Sequence, residues 1–346
     1  MRMLNTEKLN AALDVYESEG CYGTLRITEG EGVIFERNLG YANAQTKEPF
    51  TKDSMFTLYS LSKPFCAIGL MKLYDRGLVD IDEHPGKYLE EARTFHKNLK
   101  IYQLLNHTSG IPDYMQTVEF KARHVGKGKN EWELLPILAE YEGFFAPGED
   151  GRYTNVNFVI PAMIIERVTG MPYSEYMKAE VFEPLGMKCA VVDREGMFIE
   201  HRVQGHDRRD GGRLVPVGKT YFSMFGAGDI CATVDDVYCL NLAIKNKLLL
   251  SERSWERILT PSPINDMGYG CMVYDWHGKR RIQHNGGSMG FRTMHFRLPE
   301  YDLDVILLTN SGFGEYRDLI AEAIHDSYFG ESTEKAKKIE MDKGYI

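Results

Sequence analysis

The chain has 346 residues, which at roughly 150 residues per domain leaves room for about two domains with a sizeable core each and excludes a mini-protein. With 43% apolar and 26% charged residues and a mean hydropathy of -0.35, it reads as globular rather than disordered or membrane-embedded. Its 41 Lys and Arg against 50 Asp and Glu give a net charge of -9, which disfavours nucleic acid as a partner, because a phosphate backbone needs a basic face.

Charges at Glu7, Lys8 and Asp14 break up the N-terminal stretch, so no export signal is expected in it, and residues 5 to 18 pattern as a helix. Tyr22 to Thr28 and Val33 to Gly40 alternate as two strands around a turn at Glu29 to Gly32. From about 60 to 262 the chain reads as helical segments broken by Gly and Pro, among them Phe65 to Tyr74, ending at Gly77, and Phe158 to Val168, ending at Gly170. Its longest apolar run, Phe158 to Ile165, is far shorter than the roughly 20 residues a membrane span needs, so no membrane partner is expected. Strands return at Gly268 to Tyr274, Arg280 to His284, Thr293 to Leu298 and Asp304 to Thr309, before a closing helix from Tyr316 to Phe329. Strands at both ends of a helical middle predict one sheet lobe from residues 1–59 and 263–330, a mostly helical lobe from 60–262, and a charged tail at 331–346. Cys21, Cys66, Cys189, Cys231, Cys239 and Cys271 lack the CxxC spacing of metal sites and read as free thiols of a cytoplasmic protein.

The strongest local motif is Ser60-Leu61-Ser62-Lys63, at the start of an apolar helical stretch. A spacing of three puts Ser60 and Lys63 on one helical face, where a neutral lysine can take the serine proton. Phe65, Ile68, Met71 and Leu73 predict the burial that would keep the amine neutral. The motif is cheap, since Ser332 to Lys335 repeats it, but two further fragments follow in order: Tyr153-Thr154-Asn155 behind Phe145-Ala146-Pro147-Gly148, and His284-Asn285-Gly286-Gly287 at the end of a predicted strand. Each has chance copies, such as Tyr41 to Asn43 and His84 to Gly86, whereas the ordered set does not.

In this order the residues resemble the serine β-lactamase and penicillin-binding-protein family, in the branch of class C β-lactamases, D-peptidases and related serine esterases. The resemblance runs from about Tyr22 to Phe329 and includes Leu104 to Ile111, Glu183 to Met187 and Gly226-Ala227-Gly228-Asp229, which read as scaffold, with His107 fixing a loop. It implies a β-lactamase-like (DD-peptidase) fold, α/β plus all-α, with an antiparallel sheet flanked by helices and an inserted helical lobe. By resemblance Ser60 is the nucleophile, Lys63 its proton acceptor and Tyr153 the proton shuttle to the leaving group. Lys63 and Tyr153 are then expected to titrate as a coupled pair, since a phenol of ordinary pKa near 10 is no base at neutral pH. Asn155 would orient substrate and hold Lys63, and the N–H groups of Ser60 and Gly287 would form the oxyanion hole, with His284 and Gly286 lining the substrate strand. No cofactor or metal is called for, and the partner is a small acyl substrate: an ester, a D-peptide or a β-lactam.

Two departures bear on substrate. Where many members carry Lys-Thr-Gly this chain has His284-Asn285-Gly286, and a histidine is mostly neutral at pH 7, so weight shifts to neutral esters and amides unless Arg292 or Arg317 restores the charge. The other departure, Pro161, is expected near the first turn of its helix, where proline is tolerated. Two rival readings remain. Gly286 to Gly290 fits the G-x-S-x-G nucleophile elbow of α/β-hydrolases, with Ser288 as nucleophile and Asp302, Asp304 or Asp318 and then His325 completing a triad, although only 58 residues follow Ser288. The other is a non-catalytic scaffold or ligand-binding protein of the same fold. Oligomeric state has no signature in the sequence.

Overall fold

The computed structural model describes residues 3–114, 117–118, 122, 130–209, 213–218, 224–312 and 314–330; the predicted tail lies outside them. Helix α1 (Thr6–Ser18) is capped by Asn5, whose side-chain oxygen accepts the Lys8 N–H, and it buries Leu9 and Leu13. Strands β1 (Gly23–Glu29) and β2 (Gly32–Leu39) form the expected hairpin. The stretch from Met55 to Ala232 contains, besides helices, the short strands β3 (Phe56–Thr57), β4 (Val191–Val192), β5 (His206–Arg208), β6 (Leu214–Pro216) and β7 (Ile230–Ala232). The helical reading of residues 60–262 overlooked β4 to β7, because two or three residues are too few to show a period of two. Strands β8 (Met272–Trp276), β9 (Lys279–Ser288), β10 (Phe291–Leu298) and β11 (Leu303–Thr309) complete the main antiparallel sheet in the order β2-β1-β11-β10-β9-β8.

The sheet holds two cores apart. Val305 and Leu307 of β11 point into a cluster with Leu9 and Leu13 of α1 and with Ile320 and Ile324 of the closing helix (Gly314–Phe329), whereas Ile306 and Leu308 point into the cluster built by the helical segments. This explains why β11 reads as an unbroken apolar run: both faces are covered, so alternation disappears. Each such side chain contributes about 1.5–3 kcal/mol by leaving water.

The helical side is organised by α2 (Lys63–Asp75), buried from Lys63 through Leu73 with Pro64 tolerated in its first turn. It packs against the helix Val156–Thr169, which Gly170 ends in the left-handed conformation at φ 67. Pro161 is the sixth residue of that helix, in its second turn and just past the first, because the helix starts only after Asn155; burial of residues 156–165 compensates for the hydrogen bond that proline cannot make.

Candidate active site

Ser60 lies in a single 3-10 turn (Tyr59–Ser62) that runs directly into α2, so the α-helical spacing expected for Ser60 and Lys63 is replaced by a tighter one. The consequence is the same, since residues three apart eclipse in a 3-10 turn. Lys63 Nζ donates to Ser60 Oγ at 2.9 Å. Tyr59, just before the serine, has φ +48, a left-handed conformation that few side-chain-bearing residues adopt; it turns the chain sharply at the nucleophile.

Lys63 is wholly buried, and its amine has two further partners, Asn155 Oδ1 at 3.1 Å and the Ala227 carbonyl at 2.7 Å. All three acceptors are uncharged. Burial therefore pulls the Lys63 amine down to about 7, against the opposing pull of the Asp113 charge. The Tyr153 ring lies 4.9 Å from Nζ, and its hydroxyl is close enough to Ser60 to interact with it. Burial pushes this phenol well above its ordinary value, so it remains protonated, and the expected Lys–Tyr pair divides into a weakly basic amine and a neutral phenol.

Two histidines flank the phenol. His107 stacks on Tyr153 with ring centroids 4.3 Å apart, and its Nδ1 accepts from Asn157 Nδ2 at 3.0 Å and from the Thr154 N–H at 3.3 Å, the loop-fixing role the sequence implied. His284 stands on the other side at 6.2 Å, with Nδ1 2.7 Å from the Asn285 carbonyl. Burial, aided by Lys63, drives His284 down to about 3 and His107 well below the usual imidazole range. Both rings are neutral at pH 7. The proton that His284 Nδ1 donates to a carbonyl leaves Nε2 as a bare acceptor with no hydrogen-bond partner among the described residues.

The strand side follows from the sheet. β8 pairs with β9 only as far as Gln283, so residues 284–288 run on past it and pack against the Ser60 turn. Thr293 Oγ1 donates to the Leu58 carbonyl at 2.8 Å and fastens the two together. Gly286 is required by this closeness: a Cβ there would lie 2.0 Å from the Leu58 carbonyl oxygen. Gly287 follows, beneath the side chain of Arg292. Arg292 donates to its neighbouring Phe291 carbonyl at 2.7 Å, and Arg317 to Asp318 at 3.0 Å; the two guanidinium groups are close enough for Arg317 to lower the Arg292 pKa, after burial.

The structure thus brings Ser60, Lys63, Tyr153, Asn155, His284, Gly286 and Gly287 to one place, and it dismantles the Ser288 triad. Ser288 ends β9, with its hydroxyl close to the Tyr59 phenol. His325 packs on Trp276, which pairs with Lys279 at the opposite end of that strand, about 30 Å away at 3.3 Å per residue. Asp304 is engaged by His295 at 2.6 Å, Asp302 by Lys245 and Arg297, and Asp318 by Arg317. Two participants escaped the sequence reading. The Ala227 carbonyl is a backbone group without a residue signature, and Asp113, whose Oδ2 accepts the Asn155 N–H at 2.5 Å, lies just beyond the Leu104–Ile111 stretch.

Comparison with known proteins agrees with this geometry. The Beta-lactamase family model matches residues 19–329. Penicillin-binding protein 4* of Bacillus subtilis is 28% identical over 89% of this chain and 72% of its own length. A D-aminopeptidase of Brucella anthropi is 25% identical over 95% of this chain, which spans 63% of that longer protein. The D-amino acid amidase of Ochrobactrum anthropi, solved with L-phenylalanine amide, superposes with a TM-score of 0.79 at 25% identity, covering 94% of this chain and 98% of the other. The chain belongs to the beta-lactamase family and is a serine hydrolase of the β-lactamase-like fold.

Proposed function

We propose that the protein hydrolyses amides or esters of D-amino acids through an acyl-enzyme on Ser60. The observation that carries this reading is the Lys63 amine, buried, held by neutral acceptors only, and 2.9 Å from Ser60 Oγ. Ser60 Oγ attacks the substrate carbonyl as its proton passes to Lys63 Nζ. The N–H groups of Ser60 and Gly287 take the developing oxyanion, and Asn155 orients the substrate while holding Lys63. When the bond to the leaving group breaks, Tyr153 gives that group a proton and is resupplied from the Lys63 ammonium. Water then attacks the ester, loses its proton along the same route, and releases the acid and the free Ser60 hydroxyl.

His284 argues for the substrate class. A neutral ring with a bare acceptor nitrogen suits an ammonium or amide N–H and offers nothing to a carboxylate, which fits the D-aminopeptidase and D-amino acid amidase among the relatives. The six free cysteine thiols support a cytoplasmic setting, and no helix among the described residues is long and apolar enough to cross a membrane. The test is a panel: D- and L-amino acid amides, p-nitrophenyl esters, a peptide ending in D-alanine with a free carboxylate, and a chromogenic cephalosporin. D-amino acid amides and esters should exceed the carboxylate-bearing substrates at least about tenfold in kcat/KM, and His284→Lys should narrow that gap. Preference for the free carboxylate or the cephalosporin would overturn the substrate assignment.

A further inference from the structure

Lys63 owes its position to groups outside the Ser–Lys–Tyr set. Asn155 occupies the N-cap of the Val156–Thr169 helix, where an asparagine ordinarily turns its side-chain oxygen to the backbone N–H groups of the first turn. Here it makes no such cap, because Oδ1 accepts from Lys63. What holds Asn155 from behind is Asp113, fully buried, whose Oδ2 accepts the Asn155 N–H at 2.5 Å. The other acceptor, the Ala227 carbonyl, has a parallel arrangement: Asp229, also buried, accepts the Gly226 N–H at 2.9 Å and closes the turn that carries Ala227. That turn cannot shift easily, since Gly226 sits at φ +68 with its open side 2.6 Å from the Phe158 carbonyl oxygen and from Ala162.

We propose that Asp113 and Asp229 are positioning residues for Lys63, each clamping one of its acceptors, through the Asn155 backbone and the Ala227 turn respectively, and together setting the pH at which the amine becomes a base. The inference rests on the reading of Lys63 as proton acceptor for Ser60. The titratable groups facing the amine are Cys66 on its own helix, His107 and Tyr153 on the Asn155 side, His284 on β9, and the two carboxylates. Burial keeps the first four uncharged, the Cys66 thiol being pushed up to about 12. Asp113 and Asp229 favour the ammonium against burial. Asp229 is itself raised to about 7, so the acid limb of the reaction belongs to Asp229 and Lys63 jointly.

The experiment measures the second-order rate of labelling by a fluorophosphonate, read by intact mass between about pH 5 and 9. Asp113→Asn and Asp229→Asn each keep an oxygen to accept the same N–H but remove the charge. Less help for the ammonium should move the acid limb to lower pH by about half a unit or more, with the plateau rate within about tenfold of wild type. Asp113→Ala and Asp229→Ala also remove the clamp and should lower the plateau by tenfold or more. Asn variants whose acid limb stays at the wild-type pH overturn the proposal, as do folded Ala variants with an undiminished plateau. Should the Ala variants not fold, the Asn variants decide alone. A Ser60→Ala control that still labels would count against the nucleophile assignment instead.

Discussion

Helix α2 buries a lysine near each end, and the two are held in opposite ways. Lys72, near the C-terminal end, donates to the Glu180 carbonyl at 2.6 Å and lies 2.9 Å from the Glu180 carboxylate, which Arg76 also grips at 2.6 Å. Lys63, at the N-terminal end, meets a hydroxyl, an amide oxygen and a backbone carbonyl. One lysine touches a carboxylate directly; the other touches only dipoles, with the charges of Asp113 and Asp229 acting from behind its acceptors. The same residue type on the same helix is thus a structural tie at one end and a potential base at the other, and the difference lies in the acceptors rather than in burial, which is nearly complete for both.

That contrast can be broken from the reactive end first. Lys63→Met and Lys63→Arg should each lower labelling and turnover by about a thousandfold or more, because a guanidinium offers no neutral base; an active arginine variant would remove Lys63 from the mechanism. Tyr153→Phe should cost about a hundredfold or more in kcat while Lys63 remains in place, as stopped-flow acylation would read. In the wild type the acylation rate should climb as pH passes about 7 and then level off, since Lys63 must lose its proton to act, Asp229 titrates beside it, and Tyr153 and His284 titrate outside that range. A rate that falls on going from pH 6 to 8 would contradict this assignment.

The structural end responds differently. Lys72→Met removes one of two cations from the Glu180 carboxylate, which is 28% exposed and stays held by Arg76, so the penalty is about 1 kcal/mol, seen as a slightly lower Tm with labelling unchanged. Ser288→Ala, which removes only a hydroxyl from the Tyr59 phenol, should alter the labelling rate by about twofold at most.

How much of this could be read in advance depends on how local each feature is. Ser60 and Lys63 were legible because three residues of spacing bring them together in either kind of turn, even though the turn proved to be 3-10. Tyr153, Asn155 and His284 to Gly287 lie far off along the chain, and only their order pointed to them; the contacts themselves arise from β9 outrunning β8 and from the helix that starts after Asn155. The neutrality of His284 was expected from the ordinary imidazole pKa, but its cause is burial beside Lys63. The Ala227 carbonyl lies in a stretch read only as scaffold, and the Asp113 grip on a backbone N–H had no signature, since backbone groups look alike at every position.

The central claim is that Ser60 is the nucleophile, and intact-mass measurement after exposure to a fluorophosphonate tests it most directly. Wild type and Ser288→Ala should each gain the mass of one phosphonyl group, and Ser60→Ala none. Labelling that survives in Ser60→Ala and disappears in Ser288→Ala would contradict the account.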